Sequence, residues 1–258
     1  MGTKRDAVRE RYREAALRMA DQGCCCNNGG DGCGGGASIE EEMEVCGTAY
    51  TVQELAEVGL DRSSSLGCGN PILLADLRPG EVVLDLGSGA GLDVLLAARR
   101  VDPGGHAYGV DVTGEMLTLA ERNRERAGAT NASFLQARME RLPLAEASVD
   151  VVISNCVINL AEDKGAVLRE AFRVLRPGGR LAVSDVVELR ALPEAVKLDP
   201  GAWAGCVAGA LPVADYRRLL LEAGFEAVEV EVSGASGGSD PSSAIGSASV
   251  RARKPAQA

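Results

Sequence analysis

The chain has 258 residues, of which 46% are hydrophobic and 25% are charged, a composition typical of a folded globular protein rather than a disordered one. Its net charge of −10 argues against a nucleic-acid partner, because phosphate binding depends on clustered Lys and Arg. No apolar stretch approaches the roughly 20 residues that a membrane helix needs, and residues 1–23 lack the apolar centre of a secretory signal. We therefore expect a cytoplasmic protein with no membrane partner.

Eight cysteines occur in the chain, without the dense and regular spacing of a small secreted disulfide scaffold. They are Cys24, Cys25, Cys26, Cys33, Cys46, Cys68, Cys156 and Cys206. This distribution favours a reducing compartment, in which thiols act as core residues, as metal or metalloid ligands, or as redox groups.

The N-terminal part begins with a pattern that predicts an amphipathic helix over 6–20, because apolar residues recur there at helical spacing between charges. A run rich in Gly and Asn follows over 23–38 and predicts a loop. The loop carries Cys24, Cys25, Cys26 and Cys33, for which three interpretations stay open: a structural zinc site, a flexible thiol-rich loop that delivers soft ions, and no function.

From residue 80 onward, short apolar runs alternate with helical patterns, which predicts a parallel sheet with crossover helices. The predicted strands cover 81–87, 106–112, 132–137, 149–155 and 180–187, and the predicted helices cover 91–101, 114–128 and 164–175. Pro177 cannot continue a helix, and the two glycines after it predict a turn. The remaining segments are a long insertion over 188–212, a helix over 213–225 and two late strands over 226–233 and 248–254.

The stretch "LDLGSGAGLD" predicts a ligand site where the first strand turns into a helix. Asp85 ends the strand, and Gly87, Gly89 and Gly91 open the turn. Small residues let a ligand approach the backbone at the carboxyl edge of the sheet, where α/β proteins bind ligands. The acid before the first glycine suits a cationic ligand better than a dinucleotide, since a pyrophosphate binds bare amides at a helix N-terminus.

A second acid stands at the end of the second predicted strand. Asp111 lies 111 − 91 = 20 residues after Gly91, where a carboxylate can accept hydrogen bonds from both hydroxyls of a ribose. Met116, in the first turn of the next helix, stands where it can cover an adenine. Helix capping is the competing interpretation of Asp85 and Asp111, but both acids and the glycines are in register for one ligand site.

Over roughly 78–187 the chain resembles the class I S-adenosylmethionine-dependent methyltransferases, through "VLDLGSGAG", "GVDVTGEML", "ARMERLP", "VDVVISN" and "VLRPGGRLAVSD". The resemblance implies an α/β fold with a Rossmann-like, seven-stranded, mostly parallel sheet, an N-terminal extension and a small C-terminal part. It implies S-adenosylmethionine as the cofactor, with contacts at Asp85, Gly87, Gly89, Asp111, Met116, Met139 and Asn155. We accordingly divide the chain into an N-terminal segment (1–66), a cofactor-binding domain (67–187) and a part with the substrate-site insertion and a C-terminal helix and strand hairpin (188–258).

Three cysteines outside the glycine-rich loop stand in unusual surroundings. Cys156 directly follows the strand that ends at Asn155, at the same edge of the sheet as the glycine turn, and therefore near the methyl group to be transferred. Cys68 in "SLGCGNP" and Cys206 in "WAGCVAGAL" lie in segments without the periodicity of a buried core. Their separations, 156 − 68 = 88 and 206 − 156 = 50 residues, are too large for a local zinc knuckle. Three thiols beside a methyl donor would select a soft acceptor with its own lone pair, such as trivalent arsenic.

The segments "YTVQELA", "SLGCGNP", "SNCVINLAEDK" and "CVAGAL" are similar to those of the arsenite methyltransferases, over about 50–211. The resemblance implies that Cys68, Cys156 and Cys206 bind trivalent arsenic as a tris-thiolate. It also implies arsenite and methylated arsenicals as substrates, and a thiol reductant such as glutathione or thioredoxin as co-substrate. Family members use a further N-terminal cysteine that pairs with the equivalent of Cys68 during turnover. Cys46 is our candidate, with Cys24, Cys25 and Cys26 as rivals, and we expect a monomer.

Two alternatives to this interpretation stay open. The first is a methyltransferase of a small organic acceptor, in which the cysteines are incidental and turnover does not depend on arsenite. The second is a thiol-based metalloid binder or sensor that keeps the fold and transfers no methyl group. The cofactor motifs "LDLGSGAG" and "GVDV" favour an enzyme over a sensor.

Overall fold

The computed structural model describes residues 4–22, 50–60, 64, 66–233 and 244–256. Its strands are β1 (Val82–Leu86), β2 (His106–Asp111), β3 (Ala132–Gln136), β4 (Val149–Asn155), β5 (Leu175–Glu188), β6 (Leu211–Pro212), β7 (Glu226–Ser233) and β8 (Ile245–Arg253). Its helices are α1 (Lys4–Gln22), α2 (Val52–Val58), α3 (Pro71–Ala75), α4 (Leu92–Val101), α5 (Gly114–Ala127), α6 (Lys164–Val174), α7 (Glu194–Leu198), α8 (Pro200–Ala204) and α9 (Val213–Glu222).

The strands form one sheet in the spatial order β3-β2-β1-β4-β5-β8-β7. The first five of these run parallel, whereas β8 is antiparallel to both of its neighbours. The predicted mostly parallel, seven-stranded sheet with a late hairpin is therefore confirmed. The two-residue strand β6 pairs with the end of β5 and adds an eighth strand that the sequence did not predict.

Apolar side chains cover both faces of the sheet, as the runs without alternation require of parallel strands. In β1, Leu84 and Leu86 belong to the core cluster on one face and Val83 to the cluster on the other, and all three are at most 1% exposed. Burial of each such side chain stabilises the fold by about 1.5–3 kcal/mol. Packing on both faces thus fixes the positions of the strands, and therefore the positions of the residues that follow their carboxyl ends.

The predicted "RPGG" turn is present as a bulge inside β5. The pairing of β4 with β5 jumps from Val149 opposite Leu175 to Val151 opposite Arg180, so four residues of β5 loop out. Gly178 has φ 79°, in the left-handed region that glycine tolerates without a Cβ clash. Within the described part of the chain, no helix is long and apolar enough to cross a membrane.

The helix α2 was not predicted, although its first turn carries a clear start signal. The Thr51 hydroxyl accepts a hydrogen bond from the Glu54 N–H at 3.1 Å, and the Glu54 carboxylate accepts one from the Thr51 N–H at 2.9 Å. These reciprocal bonds form a capping box, which satisfies two backbone donors at the helix start. The predicted N-terminal helix is observed as α1, two residues longer at each end.

Candidate functional site

A cavity of about 330 Å³ lies at the carboxyl ends of β1, β2 and β4, with α1 across it. All seven residues predicted to contact a cofactor line it: Asp85, Gly87, Gly89, Asp111, Met116, Met139 and Asn155. They meet here because the ends of parallel strands lie at one edge of the sheet. We call this space the cofactor cavity.

Asp85 provides a buried acid at the floor of the cofactor cavity. Its side chain is 2% exposed, and its Oδ1 atom has no hydrogen-bond partner among the described residues. Burial raises the pKa of Asp85 well above its ordinary value, and the neighbouring carboxylates of Asp93 and Asp111 raise it further. An acceptor without a donor in this position favours a ligand that brings a positive charge or a donor of its own.

The glycine turn leaves space at one position and is tightly packed at another. A Cβ on Gly87 would collide with the side chain of Val157, and the residue has φ 69°. A Cβ on Gly89 would meet nothing within 4 Å, so this glycine opens directly onto the cofactor cavity. The backbone at Gly89 is therefore accessible to a ligand, as the sequence predicted for a turn of small residues.

Asp111 is held by two backbone amides. Its Oδ2 atom accepts from the Gly89 N–H at 3.0 Å, and its Oδ1 atom accepts from the Thr113 N–H at 2.8 Å. Burial raises the pKa of this carboxyl, and these hydrogen bonds oppose the rise. The Thr113 side chain and the Val112 backbone are further hydrogen-bond partners of this carboxyl, which lines the cofactor cavity.

Asn155 lines the cofactor cavity but already has several partners in the protein. Its Nδ2 atom lies 2.8 Å from the Gly69 carbonyl oxygen, 2.9 Å from the Tyr50 hydroxyl and 3.3 Å from Asp93 Oδ2. Its Oδ1 atom accepts from the Gly69 N–H at 3.2 Å. Asn155 thus ties the segment that carries Cys68 to the end of β4.

Sequence reasoning did not assign a role to Asp93 or Tyr50. The Tyr50 hydroxyl donates to Asp93 Oδ1 at 2.5 Å. Burial raises the pKa of Asp93 to about 6, and the hydrogen bonds from Tyr50 and Asn155 oppose the rise. The signal for Asp93 was present, since it is the one acid in the apolar helix "LDVLLAARRV".

The structure brings together the three cysteines that the sequence singled out. Cys68 and Cys156 form a disulfide with a Cα–Cα distance of 5.9 Å, across 88 residues of sequence. Cys206 is buried, and its thiol donates to the Cys156 carbonyl oxygen at 2.6 Å. Folding therefore gathers three distant sulfur atoms beside the end of β4.

The backbone at two of these cysteines is strained. Cys156 has φ 57° and Cys206 has φ 64°, in the left-handed region that residues with a Cβ rarely adopt. Such conformations cost of order 1–3 kcal/mol each and cluster at functional sites, where the surrounding structure enforces them.

The cysteines lie directly beside the cofactor cavity. Cys156, Cys206 and Leu160 form a small apolar cluster, against which Val8, Tyr12 and Val157 pack. Tyr12 and Val157 also line the cofactor cavity. Burial raises the pKa of the Tyr12 hydroxyl well above its ordinary value, and the Cys206 thiol beside it raises it further. The two sites thus share a wall.

The helix α1 is fixed at its first turn to residues on both sides of the site. Arg5 pairs with Glu162 at 2.5 Å, and Lys4 Nζ lies 3.8 Å from the ring centroid of Trp203 in α8. Exposed ion pairs contribute at most about 1 kcal/mol, so packing of Val8 and Tyr12 contributes much of the attachment. The helix therefore forms part of the site and was not predicted to do so.

The disulfide uses two of the three predicted arsenic ligands. Among the residues that the structure describes, no group of three or more His, Cys, Asp or Glu is arranged to hold a metal ion. The predicted partner of Cys68, Cys46, lies outside the described residues, as do Cys24, Cys25, Cys26 and Cys33. The tris-thiolate site and the pairing with Cys46 stay predictions.

Comparisons with known proteins converge on one group of enzymes. A family model described as a methyltransferase domain matches residues 77–224. The arsenite methyltransferase of Halobacterium salinarum is 45% identical, over 98% of this chain and 67% of the relative. The arsenite methyltransferase of Aquipseudomonas alcaligenes is 43% identical, over 62% of this chain and 47% of the relative. The chain thus spans about two thirds of the length of the first relative and about half of the second.

A solved structure agrees with these relatives. The crystal structure of an arsenic(III) S-adenosylmethionine methyltransferase from Chlamydomonas reinhardtii has a TM-score of 0.63 and 34% sequence identity to this chain. The alignment covers 83% of this chain and 73% of the algal one.

Proposed function

Because the chain belongs to the arsenite methyltransferase family of S-adenosylmethionine-dependent enzymes, we propose that it transfers methyl groups to trivalent arsenic, in arsenite and in methylarsenite. One observation carries this proposal: Cys68, Cys156 and Cys206 meet beside the cofactor cavity and share Tyr12 and Val157 as a wall with it. An incidental set of cysteines, 88 and 50 residues apart, has no reason to converge there.

The residues of the cofactor cavity fit S-adenosylmethionine. Its two cationic groups match a cavity with buried carboxyls, and its hydroxyls match the Asp111 carboxyl as a hydrogen-bond acceptor in the cavity wall. We assign Asp111 to the ribose, Asp85 and the turn at Gly87 and Gly89 to the amino-acid end, and Met116 to the adenine face. Met139 and Asn155 complete the lining. When bound, the cofactor supplies an electrophilic methyl group on a positively charged sulfur.

The thiols hold the acceptor. Arsenite loses its three hydroxyls as water when three cysteines bind it, because each thiol proton leaves with one oxygen. The arsenic keeps its lone pair, which attacks the methyl carbon directly, so no residue has to remove a proton in this step. The cysteines therefore act by positioning, which can supply roughly 7–11 kcal/mol of the rate enhancement.

Methyl transfer uses the lone pair of arsenic, so a return to the trivalent state requires two electrons. Two thiolates supply these electrons when they join in a disulfide. Cys68 and Cys156 are close enough to do so, and Cys46 is the other candidate partner of Cys68. A thiol reductant, glutathione or thioredoxin, then restores the thiols for the next turnover.

The direct test is to incubate the purified full chain with arsenite, S-adenosylmethionine and a thiol reductant, and to identify the arsenic species by chromatography coupled to mass spectrometry. We expect methylated arsenic that depends on all three additions. Arsenite binding without methylated product would support a binder or sensor instead. Methylation of an organic acceptor without dependence on arsenite would equally contradict the proposal.

A further inference from the structure

A second cavity, of about 250 Å³, lies beside Cys68. It is lined by Cys68 and the two residues after it, by the apolar residues Leu73, Leu74 and Ala248, by Asp185, and by four serines, which are Ser184, Ser233, Ser247 and Ser249. It has no lining residue in common with the cofactor cavity among the residues that the structure describes. We call it the serine cavity.

Of the two disulfide-bonded cysteines, only Cys68 is a lining residue of the serine cavity. Cys68 lines it and is partly buried, whereas Cys156 is 5% exposed and lines neither cavity. Cys206 is equally buried. Since thiol–disulfide exchange begins with a thiolate that contacts one sulfur of the bond, access decides which sulfur is attacked.

We propose that the serine cavity admits a low-molecular-weight thiol that reduces the Cys68–Cys156 disulfide by attack on Cys68. The incoming thiolate forms a bond to Cys68 Sγ, the bond between the two cysteines breaks, and Cys156 leaves as a thiolate. A second thiol then attacks the mixed disulfide, releases the reductant as its own disulfide and leaves Cys68 as a thiolate. Two electrons pass from two reductant thiols to the protein.

The size and chemistry of the serine cavity favour a small thiol over a protein. Its volume of about 250 Å³ lies just below the roughly 300–1,000 Å³ typical of small-molecule sites, so it has room only for a small ligand. Ser184 and Ser249 stand opposite each other on β5 and β8, so hydroxyls line the approach to Cys68 with donors and acceptors for a polar reductant. A protein reductant presents its cysteine on a surface and needs a more exposed disulfide than this one, in which Cys68 is partly buried and Cys156 is 5% exposed.

The one acid among the residues of the serine cavity does not oppose a thiolate. Asp185 is 0% exposed, and its carboxylate accepts hydrogen bonds from the Asn159 amide at 2.8 Å and the Val186 N–H at 2.9 Å. Neighbouring residues of a strand point to opposite faces of the sheet, so this side chain lies on the other face from that of Ser184.

The separation of the two cavities has a functional meaning. A reductant in the serine cavity reaches Cys68 without entering the cofactor cavity, so the thiols can be restored while the cofactor stays bound. This inference deepens the proposed function, but the exchange reaction itself needs neither arsenic nor cofactor, so the two can fail independently.

The first test uses the wild-type protein in its disulfide form. An isotope-labelled monothiol of low molecular weight, such as glutathione, is added, free thiols are alkylated after short times, and the labelled mixed disulfide is located by peptide mass spectrometry. We expect the label on Cys68 and the alkyl group on Cys156. Label on Cys156 with Cys68 alkylated would overturn the proposal.

The second test narrows the serine cavity. Ser249→Leu places an apolar side chain beside Ser184, and we expect reduction of the disulfide by glutathione to slow about tenfold or more. Ser133→Leu, on the edge strand β3 and outside the lining, is the matched control and should reduce at the wild-type rate. Equal rates in Ser249→Leu and wild type would overturn the proposal, as would reduction of wild type by thioredoxin faster than by glutathione at equal thiol concentration.

Discussion

Asn155 and Gly69 exchange two hydrogen bonds, so that the residue before Cys156 fixes the residue after Cys68. The Asn155 amide donates to the Gly69 carbonyl oxygen at 2.8 Å and accepts from the Gly69 N–H at 3.2 Å. These two bonds join a loop to the end of β4, much as a pair of backbone hydrogen bonds joins two strands. They hold the two cysteines side by side independently of the disulfide bond.

Replacement of Asn155 should therefore loosen the thiol site. Asn155→Ala removes the partner of Gly69, Tyr50 and Asp93, and should lower the free energy of unfolding by about 1–3 kcal/mol. Urea unfolding measures the loss, and titration with arsenite should show weaker binding. Gln136→Ala, at an exposed amide, should change stability by less than about 0.5 kcal/mol. Unchanged stability and arsenite affinity in Asn155→Ala would show that other contacts hold the loop.

The glycine after Cys68 should not tolerate a side chain. A Cβ on Gly69 would lie 2.5 Å from the Ser184 Cβ, so the loop would have to move away from β5. We expect Gly69→Ala to abolish the cross-link between Cys68 and Cys156, measured as free thiols under mild oxidation. Gly114→Ala, where the nearest atom is 3.7 Å from the added Cβ, is the control and should keep the disulfide. Disulfide formation at the wild-type rate in Gly69→Ala would contradict the packing described here.

Loss of one thiol should stop the reaction and spare the cofactor. Cys206→Ser keeps a donor near the Cys156 carbonyl oxygen but removes one of three arsenic ligands. Arsenite methylation should fall to background, whereas the dissociation constant for S-adenosylmethionine should stay within about twofold of wild type. Arsenic speciation and calorimetry measure the two effects. A fully active Cys206→Ser protein would rule out the three-thiol site.

Asp111 should show the opposite pattern. Asp111→Asn retains the size of the side chain but loses an acceptor, so the cofactor should bind roughly tenfold to a hundredfold more weakly, while reduced protein still binds arsenite through its thiols. Asp215→Asn, at an exposed acid of α9, is the matched control and should bind the cofactor as wild type does. An unchanged dissociation constant in Asp111→Asn would remove this residue from the cofactor site.

The buried acids should make the protein less stable as pH rises. Burial raises the pKa of Asp93 from 3.8 to about 6 and that of Asp185 from 3.8 to about 7. The folded state therefore holds more protons than the unfolded state between about pH 4 and pH 7, and the free energy of unfolding falls across this window. Asp185→Asn should make the free energy of unfolding depend less on pH. The difference in this free energy between Asp185→Asn and wild type should be larger at pH 8 than at pH 5, in favour of the variant, by on the order of 1–3 kcal/mol. Urea unfolding at both values measures this gain, and parallel curves would contradict it.

The fold was predictable because its signals are local. The apolar runs that end in Asp85 and Asp111 predicted two strands and the edge of the sheet at which a ligand binds. Both residues line the cofactor cavity. The partners of Asn155 were not predictable in this way, since Tyr50 lies 105 residues away in sequence. Cys206 likewise meets the carbonyl oxygen of Cys156 across 50 residues. Such pairs depend on how whole elements pack, and no periodicity in one segment reports them.

The place of β8 between β5 and β7 has a consequence for synthesis. Leu181 and Val183 on β5 find their partners Ala252 and Val250 on a strand that leaves the ribosome some 70 residues later. Until then β5 presents an unpaired edge, which is a template for association with other nascent chains. Protection of that edge by a chaperone, or slow release of the last strand, should therefore govern how much active protein a cell recovers.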